Sequence, residues 1–263
     1  MGESKINFKG FQNIYDKDGS LLIKLVMPDA LKDVFFAELY TRNKINDRAD
    51  GDPQKVWSEI SHKFGNAKLT APHQVHGTEV ITACGDNALP ARFDADGVLI
   101  ESRNSCCGSL RFADCTPVVI AGLSPLPWMM LLHSGFAGTM KNISASALSR
   151  YSHRCSNDDK DNIWAWIGPG MSFANYSRNK DDEKTKEALS IFSRYNCLEK
   201  NGHVYFDVQG QIFCQLKEAG LKCDNIFRYD ACTFENNDKF YSYRGGDSLC
   251  RMFLVGGYTT ILN

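Results

Sequence analysis

The sequence predicts an α+β fold: a single layered domain in which mixed β-sheets are flanked by helices. Three observations carry this. Strand-like and helix-like segments are interspersed without the strict alternation that builds a doubly wound sheet. Between residues 79 and 133 lie short β-rich or continuously apolar runs, the mark of at least one sheet buried on both faces. No repeat, low-complexity tract or linker divides the 263 residues, so residues 1–263 are expected to form one domain.

The elements follow in order. "FQNIY" (11–15) and "LLIKLVMP" (21–28) flank "DKDGS", a hairpin turn. "DPQKVWSEISHKFG" (52–65) reads as a helix, with an acidic start, proline in the first turn, Val56, Ile60 and Phe64 four apart, and a terminal glycine. "EVITAC", "DGVLIE", "TPVVIAG" and "WMMLLH" are strands. After "HSGFAG", the segment "TMKNISASALSRYSHR" (139–154) is expected to be helical and "NIWAWIGPG" a strand ending in a tight turn. "DDEKTKEALSIFSRY" and "DVQGQIFCQLKEAGL" are helices, the second closed by Gly220, and "FYSYR" and "RMFLVGGY" complete the chain as strands.

Composition excludes several classes. Charged residues make up 23% and the formal net charge is −1, so nothing suggests a nucleic-acid partner. The start, "MGESKINFKG", has no apolar secretory core, and Ile6 stands where myristoylation needs Ser or Thr. The longest apolar run, "PLPWMMLLHSG", is too short to span a bilayer. A cytoplasmic protein with no membrane partner is expected. Ten cysteines are scattered with no C-x-x-C pair, which argues against a disulfide scaffold or a zinc ribbon. Most read as small buried apolar residues.

Three histidines stand in unusual places. His73 and His76 fall in the turn "TAPHQVHGTEV", and His133 ends an apolar run just before a glycine-rich turn. His62, His153 and His203 sit in polar surroundings and read as peripheral. Cys115, in "RFADCTPVVI", opens a strand, and strand ends are where side chains converge on clefts. If strands pair side by side, His76, Cys115 and His133 can meet. Two imidazoles and a thiolate suit zinc, and three protein ligands leave a position open. Asp114 and Gln74 are the neighbours placed to orient such ligands, and His73 is the candidate fourth ligand. Each residue taken singly also fits a bland role, the cysteine as core and the histidines as polar turn residues.

The segments "QVHG", "FADCTPVVIAG", "HSGFAGTMKNI", "IGPG" and "YSYR" with a later "CRM" resemble, in this order, the YfiH-like family. That family carries the label multicopper polyphenol oxidase or laccase and is also described as purine nucleoside phosphorylase with adenosine deaminase activity. The resemblance runs from about residue 36 to the C-terminus. It implies metal ligation by His76, Cys115 and His133. "ELYTR" resembles the family's substrate motif and implies that Arg42 meets substrate or phosphate; "DADGVLI" makes Asp96 the matching carboxylate. There are departures: Phe136 and Ala137 replace the Trp and Arg of "HAGWRG", the glycine-rich stretch after Arg42 is missing, and Arg244 stands alone where the family has two arginines.

Laccase chemistry needs a histidine-built copper cluster, and six histidines, three of them peripheral, do not furnish it. Zinc is therefore expected over copper, serving as Lewis acid and as a source of hydroxide, since zinc-bound water has a pKa of about 7. Deamination then follows from attack at purine C6. Phosphorolysis further requires anion contacts, for which Arg42 and the N–H groups from Gly135 to Thr139 are candidates; Arg42, Asp96, Gly135 and Arg244 are the expected substrate-binding residues. Glu79, Asp96 and Asp114 are candidates for proton transfer. Two other readings stand beside this: a thiol hydrolase or amidase with Cys115 as nucleophile, acting on a small metabolite or, as implied for some family members, a peptidoglycan precursor; and a non-catalytic, zinc-stabilised binding protein.

Overall fold

Two six-stranded sheets stack face to face and carry helices on both outer faces. The computed structural model describes residues 8–101, 106–152 and 157–262. The first sheet takes strands from the N-terminal third and the C-terminus: β1 (Phe11–Tyr15), β2 (Leu21–Leu25), β3 (Phe35–Tyr40), β4 (Lys68–Thr70), β7 (Cys106–Phe112) and β15 (Met252–Tyr258), in the order β1-β2-β3-β15-β7-β4. The second holds β5 (Val80–Thr82), β6 (Gly97–Ile100), β8 (Thr116–Gly122), β9 (Trp128–Ser134), β10 (Ile163–Ile167) and β14 (Ile226–Arg228), in the order β14-β10-β8-β9-β6-β5. A small third sheet joins β11 (Ser177–Asn179), β12 (Cys197–Lys200) and β13 (His203–Phe206), with β13 central. Both large sheets mix parallel and antiparallel pairs, the α+β architecture expected.

Side-chain alternation builds the layers. Along β3, Phe35, Ala37 and Leu39 enter the core between the sheets, while Phe36 and Tyr40 turn outward onto α1 (Lys44–Ala49) and α2 (Pro53–Ile60). Along β9, Met129 and Leu131 face the inter-sheet core; Trp128, Met130 and Leu132 pack under α4 (Ile143–Ser152) and α6 (Val208–Glu218). Strands that bury both faces carry apolar residues on both, which is why "TPVVIAG" and "WMMLLH" show no alternation, their polar residues Thr116 and His133 lying at the strand ends.

Several boundaries differ from the sequence reading. The 52–65 segment is α-helical only to Ile60, then tightens to a 3₁₀ turn through Phe64, and Gly65 ends it at φ 57°. The 139–154 segment is two helices, α3 (Phe136–Met140) and α4, broken at Asn142, which adopts φ 55°. Its last residues, including His153, lie outside the described residues. The helix beginning near 181 is α5 (Glu183–Ile191), capped by the Asp182 side chain, and it stops short at Phe192. "FYSYR" is not a strand. The Asp247 carboxylate accepts from the Ser242 N–H at 2.8 Å and from Asn237 Nδ2 at 2.8 Å, gathering residues 237–247 into a turn-rich loop. These side-chain bonds outcompete the β-propensity of Phe and Tyr. Among the described residues no helix is long and apolar enough to cross a membrane.

Candidate metal centre

Two crossings between the sheets and one strand end converge at one end of the inter-sheet layer. His76 lies in the connection from β4 to β5, which passes from the first sheet to the second. Cys115 lies in the tight link from β7 to β8, which makes the same passage, and His133 is the penultimate residue of β9. The ligand atoms of these three residues fall within 4.8 Å of one another. Cys115 Sγ is 3.9 Å from His76 Nε2, and the two imidazole rings meet edge to face at 4.9 Å. His76 is exposed, Cys115 half-buried and His133 buried, so the group is anchored on one side and open on the other.

Both links are held in left-handed backbone conformations: φ is 58° at His76 and 75° at Asp114. Each costs energy for a residue with a side chain, and each is stabilised by a carboxylate. Asp96 is fully buried just before β6, and its oxygens accept the backbone N–H groups of Val75 (3.1 Å), His76 (2.9 Å) and Gly77 (2.6 Å). Asp114 accepts from Thr233 Oγ1 and from the Arg244 N–H, both at 2.8 Å.

Asp96 also binds Nδ1 of His133 at 2.8 Å. Burial opposes its ionisation, yet the His133 hydrogen bond and the Gly77 N–H hold its carboxyl below the usual range. Burial pushes His133 the other way, downward, against the pull of Asp96. The consistent state is a neutral imidazole whose Nδ1–H donates to Asp96, leaving the Nε2 lone pair directed at the other two ligands. Burial, then the charges of Asp114 and Asp96, push the Cys115 thiol up to about 12.

The donor set fits a zinc-sized ion. Ligand atoms about 2.0–2.3 Å from one tetrahedral centre lie roughly 3.4–3.6 Å apart, so a group spread over as much as 4.8 Å would close in by up to about 1.3 Å to grip the ion. Gly135 makes room for it: a Cβ there would lie 2.4 Å from Cys115 Sγ.

The group forms part of the wall of a cleft of about 510 Å³, together with His73, Gln74, Arg111, Ala113, Asp114, Tyr176, Tyr243, Arg244 and Arg251. The residues singled out from sequence are thus divided. His76, Cys115, His133, Asp114 and Arg244 come together at the cleft. Arg42, Asp96 and Gly135 do not line it. Arg42 instead donates to Asp247 Oδ2 at 2.6 Å and to the Asn237 carbonyl at 2.7 Å, and lies 4.3 Å over the Tyr241 ring, bracing the loop that carries Tyr243 and Arg244. Asp96 sits behind the ligands. Gln74 exchanges two hydrogen bonds with the Arg111 backbone, not with a ligand. His73 is outside the ligand group and pairs through Nδ1 with Asp94 at 3.0 Å. Glu79 faces Arg150 at 3.4 Å, away from the cleft lining. None of the N–H-bearing residues from 135 to 139 lines the cleft.

Arg111, Tyr176, Tyr243 and Arg251 were not selected from sequence. Three of them sit in segments that stood out, "RFADCTPVVI", "YSYR" and "CRM", but nothing local distinguishes a cleft arginine or tyrosine from an ordinary one.

A family model described as multi-copper polyphenol oxidoreductase laccase matches residues 39–255. The chain belongs to this family. Relatives of this YfiH-like chain include proteins named purine nucleoside phosphorylase. One from Rickettsia conorii is 29% identical, with 77% of this chain and 80% of the relative covered. Another, from Aquifex aeolicus, is 29% identical over 64% of this chain and 73% of its own. Among solved structures, Bacillus licheniformis hypothetical protein YfiH superposes with a TM-score of 0.76 at 18% identity, covering 95% of this chain and 99% of that one. YlmD from Geobacillus stearothermophilus gives 0.75 at 17%, covering 94% and 99%. These likenesses establish a shared YfiH fold.

Proposed function

We propose that this YfiH-like protein is a zinc-dependent purine nucleoside phosphorylase that also deaminates adenosine. The observation that carries the reading is the convergence of His76, Cys115 and His133 at the wall of a cleft large enough for a nucleoside. Support comes from the relatives named purine nucleoside phosphorylase.

In phosphorolysis a phosphate oxygen bonds to C1′ of the ribose while the C1′–N9 bond breaks; the products are ribose 1-phosphate and a purine that gains a proton. His73 is the cleft imidazole outside the ligand group; as the imidazolium, with Nδ1–H donating to Asp94, it would carry on Nε2 the proton that the departing purine takes. Tyr243, 63% exposed at the cleft, offers an aromatic face to the base. Asp114 holds the loop of Arg244 against Cys115, keeping two walls in register. When bound, zinc would supply Lewis-acid polarisation of a substrate atom. It is favoured over copper because oxidase chemistry would also need a separate histidine-built copper cluster, and among the described residues His76, Cys115 and His133 are the one group placed to hold a metal.

The thiol-hydrolase reading fares worse. A nucleophilic cysteine needs a lowered pKa, and burial moves Cys115 the opposite way. A purely structural zinc would want a closed ligand sphere, whereas His76 is exposed. The test is elemental analysis of wild type and Cys115→Ala, with assays of inosine and adenosine in phosphate buffer. Zinc in the wild type alone, with release of free base and ribose 1-phosphate and conversion of adenosine to inosine, is the expected outcome. No product from either nucleoside by the zinc-loaded protein overturns the reading.

A further inference from the structure

The cleft carries more positive charge than its own groups balance. β7 and β15 pair antiparallel with Arg111 opposite Phe253, so Arg251, two residues before Phe253, is a diagonal neighbour of Arg111. The two side chains converge on Gly51: Arg111 donates to its carbonyl at 3.1 Å, and Arg251 Cγ lies 3.5 Å from where a Cβ on Gly51 would stand. Arg92 comes in beside them, and it and Arg111 share the Pro72 carbonyl, at 3.0 and 3.2 Å.

Among the described residues none of these three arginines forms an ion pair with a carboxylate. Their hydrogen bonds go to backbone carbonyls, with Arg251 taking those of Asp247, Ser248 and Cys250. The nearby acids offset them only in part: the charge of Asp52 favours the charged forms of Arg92 and Arg111 but its carboxylate caps α2 through the Gln54 N–H, and both oxygens of Asp114 are bonded. Burial, then repulsion from Arg92 and Arg251, push Arg111 down to about 10. Clustered, partly buried cations with no carboxylate paired directly to them are destabilising unless an anion binds among them. Each guanidinium has five N–H donors, so Arg111 keeps donors in reserve after its two backbone bonds.

We infer that Arg111 and Arg251 form an anion subsite of the cleft, shaped for a phosphate group. The identity of the anion as the attacking phosphate rests on the phosphorylase reading; the subsite itself rests on the arginines. Its chemistry is shared by free orthophosphate and by the 5′-phosphate of a purine mononucleotide.

The experiment is calorimetric titration of the zinc-loaded protein with inorganic phosphate and, separately, with inosine 5′-monophosphate. Wild type is compared with Arg111→Met, Arg251→Met, Arg111→Lys and, as a charge control on α4, Arg150→Met. Either cleft methionine variant is expected to weaken phosphate binding by about tenfold or more, the worth of a charge-assisted hydrogen bond. Arg111→Lys restores part of the loss, Arg150→Met changes nothing, and wild-type affinity falls as salt rises. Arg251→Met and the lysine variant keep the test decisive if Arg111→Met fails to fold. Phosphate binding that depends on these arginines without any cleavage of inosine upholds the subsite while the phosphorylase reading falls. Binding of the mononucleotide but not of orthophosphate, lost in the same variants, upholds the subsite and makes a nucleotide its source. Wild-type failure to bind either anion, or unchanged affinity in both methionine variants, overturns the inference.

Discussion

Asp96 and His133 are joined twice across neighbouring elements of the second sheet: the Asp96 carboxylate accepts from His133 Nδ1 at 2.8 Å, and the His133 N–H donates to the Asp96 carbonyl at 2.8 Å. The same carboxylate holds three N–H groups of the loop bearing His76. One buried acid therefore orients two of the three ligands. Asp96→Asn keeps the shape but removes the charge, and it is expected to lower zinc affinity about 10–100-fold. Competition against a chelator of known affinity measures this; unchanged affinity would show that Asp96 serves folding alone.

Gly135 is required by clearance, not by conformation, since its φ of −78° suits any residue. Alanine there drives a methyl group to within 2.4 Å of Cys115 Sγ. Gly135→Ala should cost about 1–3 kcal/mol of stability by overpacking. It should also displace the thiolate, so that zinc content drops while the far-ultraviolet circular dichroism is preserved. A variant with full zinc content would refute the clearance argument.

The convergence of His76, Cys115 and His133 was readable because Cys115 and His133 sit at strand boundaries, where a layered fold opens, and all three lie inside distinctive short motifs. The work of Asp96 was not, because the strand pairing that brings it to His133 joins residues 37 apart in the chain. Arg42 is a similar case. Its motif suggests a substrate contact, but its partners are residues 237–247, and only the folded chain reveals a brace. Arg111 escaped notice because "CCGSLRF" lacks both alternation and a continuous large apolar run, so neither the strand nor the direction of its arginine could be inferred. Helix and hairpin signals carried by Pro53, Gly65 and "DKDGS" survived because backbone constraints at such residues act locally.

Metal-free protein offers a direct check on Cys115. With burial holding its thiol near 12, the thiolate fraction at pH 7.5 is minute and grows tenfold with each pH unit up to that value. Iodoacetamide should therefore label exposed Cys223 well before Cys115 in peptide mass spectrometry, even after chelation. Rapid selective labelling of Cys115 at neutral pH would instead revive the nucleophilic reading.

Asp247 anchors the loop of Tyr243 and Arg244. Burial disfavours its charge, but hydrogen bonds from Arg42, the Ser242 N–H and Asn237 outweigh that and depress its carboxyl. A depressed carboxyl in the folded state stabilises above the unfolded value and loses that contribution as pH falls through the folded value. Asp247→Asn should destabilise by about 2 kcal/mol near neutral pH. The gap from wild type should narrow below about pH 4, in denaturant titrations run at several pH values. A gap independent of pH would assign the loss to packing.

The last prediction concerns which ring receives the base. Tyr176 is already sandwiched: Arg244 lies 4.7 Å from its centroid, and Phe136 stacks at 5.5 Å. Among the described residues Tyr243 has Arg251 near its ring, at 5.9 Å, and it is 63% exposed at the cleft. Stacking on it is worth about 0.5–1.5 kcal/mol beyond area burial, so Tyr243→Ala should raise the nucleoside KM roughly 2–13-fold. kcat should change little, because the ring contributes equally before and during bond cleavage. Tyr243→Phe keeps the face and should behave as wild type. If the phenylalanine variant is as impaired as the alanine one, the hydroxyl matters and the stacking argument fails; if neither is impaired, the base binds elsewhere in the cleft.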